Sequence, residues 1–169
     1  MQNKLKSWLK EILSFVLIAI LVANISSWVR SPSLKQKDLP QFNLELVDQT
    51  IFDHSTRAKE SIVLYFWGSW CSVCSFQSPV ISTLSKSNRV LSFAVNSGNN
   101  QQIKAYLEQN DYKFPSFNDV HHQWSKTFKV SAYPTLFIFD KDGKLRFTEV
   151  GYTSLWGLKL RLLWLELWS

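Results

Sequence analysis

Apolar positions fall in blocks whose lengths and spacings differ along the chain. Residues 12–29 form eighteen consecutive positions without a charge, dominated by Ile, Leu, Val, Ala and Phe. At 1.5 Å per residue this reaches across a hydrocarbon core, which takes about 17–25 residues. Lys4, Lys6 and Lys10 precede the run and Trp8 and Trp28 bracket it. The positive-inside rule then keeps residues 1–11 in the cytoplasm and sends the remainder across. Ala23-Asn24-Ile25 offers no small-x-small triplet for cleavage, so the expectation is an uncleaved transmembrane anchor at 12–29. Residues 30–40, with Ser, Pro, Lys and Gln, read as a linker. A domain at 41–169 then lies outside the cytoplasm, where disulfides persist.

Within that domain the pattern alternates. Residues 62–67 are an unbroken apolar run, as in a strand buried on both faces, and 90–96 read the same way. Residues 42–47 form a candidate strand, 71–86 a helix, and 100–110 a helix with Ile103, Tyr106 and Leu107 on one face. A short strand at 114–117 and a short helix at 120–128 follow. Strands at 135–140 and 145–151 flank Lys141-Asp142-Gly143-Lys144, whose Asp-Gly is a hairpin signal. The last helix spans 154–168, with Trp156, Leu160, Leu163 and Leu167 expected to face the core. Leu158, Leu162, Trp164, Leu165 and Trp168 exceed what one face needs, and a membrane surface or a partner is the alternative use for them. Strand-helix alternation closed by a hairpin and a helix predicts an α/β fold, a mixed central sheet with helices on both faces.

Composition narrows the function. Over 169 residues, 46% hydrophobic and 15% aromatic content supplies a packed core and excludes disorder. Half of the net charge of +6 sits in the first thirty residues and the rest is scattered, so a nucleic-acid reading has little behind it.

The chain has two cysteines, in Trp67-Gly68-Ser69-Trp70-Cys71-Ser72-Val73-Cys74, between the strand at 62–67 and a helix. A close pair at a helix start points to redox chemistry. Zinc needs four ligands, and His54, His121 and His122 lack the ligand spacing; covalent haem needs a histidine where Ser75 stands. A disulfide closing so short a loop adds little stability. The other use of two soft thiolates is Cu(I) binding by a chaperone or assembly factor, for which a single methionine, Met1, gives little support.

Phe66 to Cys74, with Pro79 five residues beyond the second cysteine, resembles the thioredoxin-like active-site motif. Val130-Ser131-Ala132-Tyr133-Pro134-Thr135 resembles the segment carrying the family's cis-proline, and Gly151 the glycine ending the second hairpin strand. The resemblance covers residues 39–165. The long insert before Pro134 is similar to the TlpA-like branch, and within it to the membrane-anchored suppressor-of-copper-sensitivity D type.

This resemblance implies a thioredoxin-like protein disulfide oxidoreductase whose redox-active disulfide is Cys71–Cys74, with no other cofactor and no metal. It implies a cis bond at Pro134 that turns Tyr133 toward a substrate strand, with Trp67 and Trp70 as apolar walls. Cys71, in the first turn, is the attacking thiol and Cys74 the resolving one. The implied partners are exported protein thiols or disulfides and a membrane electron donor or acceptor. The implied location is the bacterial inner membrane, single-pass, with the domain in the periplasm and a link to copper or oxidative stress tolerance. Ser72-Val73 brings no histidine between the cysteines, which leans the pair toward reduction. One departure concerns proton transfer: Tyr65 stands where the family carries a buried aspartate. With no charge between Glu60 and Lys86, the helix N-terminus is the local group that favours a thiolate.

Overall fold

The computed structural model describes residues 8, 10–15, 18, 22, 32, 38–41, 43–53 and 60–168. The described positions between 8 and 22 are helical and exposed; the rest of the expected anchor lies outside the described residues. Among the described residues no helix is long and apolar enough to cross a membrane.

The elements are β1 (Asn43–Glu45), β2 (Ile51–Asp53), β3 (Ile62–Trp67), α1 (Ser72–Leu84), β4 (Arg89–Ala94), α2 (Asn100–Gln109), β5 (Ser116–Asn118), α3 (Gln123–Thr127), β6 (Thr135–Phe139), β7 (Leu145–Val150) and α4 (Leu155–Trp168). Five strands form one sheet in the order β5-β4-β3-β6-β7, with β3, β4 and β5 parallel and β6 and β7 antiparallel to their neighbours. This is the expected mixed sheet.

β3 occupies the centre because all six of its residues are apolar and buried. Val63, Tyr65 and Trp67 point to one face, into a core shared with α1, α2 and α4 through Ile81, Ile103 and Leu162. Ile62, Leu64 and Phe66 point to the other, against Phe93, Phe128 and Phe137, where α3 and the β1–β2 hairpin close the layer. Phe66 stacks on Phe93 at 4.6 Å between centroids.

Polar groups cross this apolar interior at one level. The Trp67 indole donates to Ser92 Oγ at 3.2 Å, and Ser92 and Ser116 hydroxyls lie 2.7 Å apart on paired residues of β4 and β5. Asp140 ends β6: its Oδ1 accepts from the Asp142 and Lys144 amides and its Oδ2 pairs with Arg146.

Three expectations are corrected. β2 was not foreseen; it pairs with β1 across a turn at Asp48, with Gln49 at φ +69° and Asp48 accepting from Thr50. The helix expected at 120–128 starts only at Gln123, because His122 takes a left-handed conformation and Asp119 caps from outside. The third is the buried face of α4. Leu158, Leu162 and Leu165 are in the core, whereas Trp156, Leu160, Leu163 and Leu167 are exposed. Both faces of this helix are apolar, so spacing alone did not distinguish them. Arg161 decides: it pairs with Glu149 of β7 at 2.8 Å and stands over the Phe147 ring, which rotates the helix.

Candidate functional site

The parallel strands β3, β4 and β5 end at one edge of the sheet, and the site is built there. After Trp67 the chain turns through Gly68 and Ser69, with the Cys71 amide donating to Gly68 O at 3.1 Å. Cys71 is the N-cap of α1 in extended conformation, and its Sγ accepts from the Cys74 amide at 3.2 Å. Cys71 and Cys74 are disulfide-bonded, with Cα atoms 5.2 Å apart. Cys71 keeps 8% of its surface and Cys74 only 1%, so the first cysteine is the less buried of the two. The first turn of α1 carries no acidic residue, which leaves the positive end of the helix uncompensated beside Cys71.

The loop is held from β4. Ser69 N donates to Ser97 Oγ at 2.9 Å, Ser97 Oγ to Val95 O at 3.1 Å, and the Trp70 indole to the same carbonyl at 3.0 Å. Gly68 makes room for that indole, since a Cβ there would lie 2.6 Å from two of its atoms. Trp70 is half exposed and meets the Tyr133 ring edge-on at 5.5 Å.

Tyr133–Pro134 is cis. Pairing of Phe66 with Thr135 brings Pro134 level with the end of β3, where the cysteine loop departs, and Gly151 N donates to Pro134 O at 2.8 Å. Among the described residues the Tyr133 N–H and C=O have no backbone partner. Burial pushes the Tyr133 phenol above its ordinary pKa. The structure therefore brings Trp70, Cys71, Cys74, Tyr133 and Pro134 together. Trp67 is not a wall of this site: it is fully buried beneath it, stacked near Tyr65 and Tyr106. Val73, between the cysteines, and Phe76, two residues beyond Cys74, are also exposed.

Beneath the cysteines the Tyr65 hydroxyl lies 3.0 Å from Ser78 Oγ and donates to Cys74 O at 3.4 Å. Burial raises its pKa far above the ordinary phenol range, the Ser78 hydrogen bond opposing only in part. Tyr65 is thus a neutral hydrogen-bonding group and not a base. Buried Asp119, at the same sheet edge, has its oxygens committed to the Trp124 and Ser125 amides at 3.1 and 2.7 Å. Pro79 lies inside α1, and Gln77 Oε1 accepts from Thr153 N at 2.7 Å, tying α1 to the start of α4.

Gly68 lies within the cysteine motif but had no role assigned from sequence, and Ser97 lies outside the motif. Gly68 carried a signal, a glycine two residues before an indole; Ser97 joins through the fold alone. Among the described residues no group of three or more His, Cys, Asp or Glu side chains is arranged to hold a metal ion.

Comparison with known proteins agrees with this geometry. The AhpC/TSA family model matches residues 36–148. A thioredoxin-like protein of Haemophilus influenzae is 35% identical over 164 residues, covering 96% of this chain and 98% of its own length. The thiol:disulfide interchange protein DsbE of Xylella fastidiosa is 30% identical over 145 residues, covering 80% of this chain and 73% of its own. The crystal structure of an exposed lipoprotein thioredoxin of Streptococcus pneumoniae superposes with a TM-score of 0.66 at 27% identity, covering 73% of this chain and 98% of the other.

Proposed function

Since the chain belongs to the AhpC/TSA family and has the thioredoxin-like fold, we propose that it is a thiol-disulfide oxidoreductase that exchanges disulfides with exported proteins through Cys71 and Cys74, in the reducing direction. The observation that carries the reading is the asymmetry of the pair. Cys71 is the less buried residue of the two, sits at the helix N-terminus and already accepts an amide hydrogen bond. A thiolate there gains from the helix dipole and from that N–H, each stronger toward a full negative charge. Cys74 is buried one turn further in and is released only after attack.

In the reductive half-reaction the Cys71 thiolate attacks one sulfur of a substrate disulfide. The substrate disulfide breaks, and the leaving thiolate takes a proton from solvent. Cys74, losing its own proton to water, attacks Cys71 Sγ of the mixed disulfide, releasing the second substrate thiol and closing Cys71–Cys74. Two electrons pass to the substrate, and a dithiol donor must reduce the pair again. Exposed Trp70, Val73 and Phe76, within two residues of a cysteine in sequence, offer apolar surface to a segment of the substrate, and the Tyr133 N–H and C=O beside Pro134 suit its pairing as an added strand.

The anchor read at residues 12–29 belongs to this proposal, with the domain on the outer side of the bacterial inner membrane. Cys74→Ser is expected to trap mixed disulfides between Cys71 and exported proteins, and Cys71→Ser to trap none. Absence of trapped species together with stoichiometric Cu(I) uptake by the reduced protein would overturn the redox reading.

A further inference from the structure

The outer face of α4 is an apolar feature that neither the core nor the cysteine site uses. At about 100° per residue, Leu163, Trp156, Leu167, Leu160, Trp164 and Trp168 succeed one another around one side of the helix, opposite the buried Leu158, Leu162 and Leu165. All six are exposed. Lys159 and Glu166 border the stripe on one flank and Arg161, paired with Glu149, on the other. Between α4 and the loop after α1 the stripe opens into a groove lined by Ser87, Asn88, Trp156, Leu160 and Leu163.

What covers this face follows from where the chain enters the domain. Asp38 bridges to Lys144 and pairs with its ammonium, and Leu39 N donates to Gly143 O at 2.7 Å. The entering chain therefore docks on the β6–β7 turn, at the end of the sheet opposite the cysteines. α4 runs toward that same end: Arg161 meets Glu149, and one turn later Trp164 meets Phe147 at 5.9 Å, so Leu167 and Trp168 lie toward Leu145 and the turn. Eight residues, 30–37, separate the apolar segment from Asp38. Fully extended they span about 28 Å, against about 21 Å for the fourteen residues of α4. A domain on so short a tether stays within roughly its own helix length of the bilayer.

We propose that the outer face of α4 rests on the lipid bilayer as a second membrane contact, resting on the anchor reading of residues 12–29. Three of its six outward side chains are tryptophan, the residue enriched at the membrane interface because an apolar ring there keeps a wet N–H. Exposed Lys159, with Lys86 on the adjoining loop, sits at its margin and suits anionic headgroups. With α4 flat on the membrane, the sheet lies over it, and the cysteine end stands about 20 Å from the tether along the surface, one six-residue strand away. The site then faces partners in the plane of the membrane.

The test uses the full chain reconstituted into phosphatidylcholine–phosphatidylglycerol vesicles with brominated acyl chains, reading tryptophan emission. Substituting Trp156, Trp164 and Trp168 together by Phe is expected to remove about half of the bromolipid-quenchable emission, since the anchor reading of residues 12–29 also sets Trp8 and Trp28 against lipid. The variant Leu160→Glu/Leu163→Glu keeps all tryptophans and is expected to lose the same quenching while retaining disulfide exchange, which shows that it is folded. Unchanged quenching in both variants, with loss of quenching only in Trp8→Phe/Trp28→Phe, overturns the α4 contact and leaves the anchor standing. No quenching of any tryptophan removes the anchor and this proposal with it. Tryptophans of α4 shielded from aqueous acrylamide but not quenched by bromolipid would mean that a second copy or another protein covers the face, and would also overturn it.

Discussion

Gly68→Ala isolates what holds Trp70 over the cysteine loop. Gly68 has no positive φ, so alanine is compatible with the backbone, but its Cβ would stand 2.6 Å from Trp70 Cε2 and Nε1. The indole must move, breaking its hydrogen bond to Val95 O and its edge contact with Tyr133. The hydrogen bond contributes about 0.5–1.5 kcal/mol and the ring pair about 0.5–1.5 kcal/mol, giving a destabilisation of about 1–3 kcal/mol. Because Trp70 is half exposed, the ring can swing into water and the fold survives. With urea m-values of about 1–3 kcal/mol/M, the midpoint falls by about 1 M. The control is a double-mutant cycle: in a Trp70→Ala background Gly68→Ala is expected to cost close to nothing. Disulfide-exchange rates of Gly68→Ala should fall toward those of Trp70→Ala. An equal cost of Gly68→Ala in both backgrounds would refute the reasoning, since the strain would then lie elsewhere than against the indole.

Asp140→Asn is expected to destabilise by about 1.5–3 kcal/mol, because an amide can cap the Asp142 and Lys144 N–H groups but presents a donor to Arg146. Burial alone would raise the Asp140 pKa, but hydrogen bonds from Lys144 N, Arg146 and Asp142 N, with the Arg146 charge, outweigh it and lower the pKa below 3.8. A lowered folded pKa stabilises above the unfolded value and loses that stability as pH falls through the folded one. The wild type should therefore lose more stability than Asp140→Asn below about pH 4 in thermal melts, and parallel acid profiles would count against the ion pair. Tyr65→Phe removes the contact with Ser78 and should cost about 1 kcal/mol in unfolding. It should leave the pH profile of mixed-disulfide resolution unchanged, because burial keeps the phenol protonated; a displaced profile would show that Tyr65 takes part in proton transfer.

Strands buried on both faces were legible as unbroken apolar runs, and the half-exposed β7 through the turn that precedes it. The apolar run at 62–67 became β3 residue for residue, and the Asp142-Gly143 turn became the β6–β7 hairpin. β2 was hidden because its turn uses Gln49 at positive φ, where glycine or asparagine would have given a signal. The parity of β3 could have placed Trp67: it shares a face with Val63 and Tyr65 and so lies in the core. The α4 face was not legible from spacing, because a helix with two apolar faces is oriented by a partner distant in sequence, here Glu149 for Arg161. For the same reason the cysteine motif could be read locally, whereas its support by Ser97 and Val95 depends on β4 running beside β3.

The serine pair Ser92–Ser116 beneath Trp67 bears on how this sheet finds its alignment. A strand apolar on both faces loses little burial if it slips by one residue, so the hydrophobic pattern of β3 is a weak guide to register. A slip of β4 against either neighbour, however, would separate two buried hydroxyls or strand an indole N–H in an apolar interior, at about 1–3 kcal/mol for each orphaned group. Three modest polar side chains thus act as an address for three strands, and alignment of the whole edge that carries the cysteines follows from them.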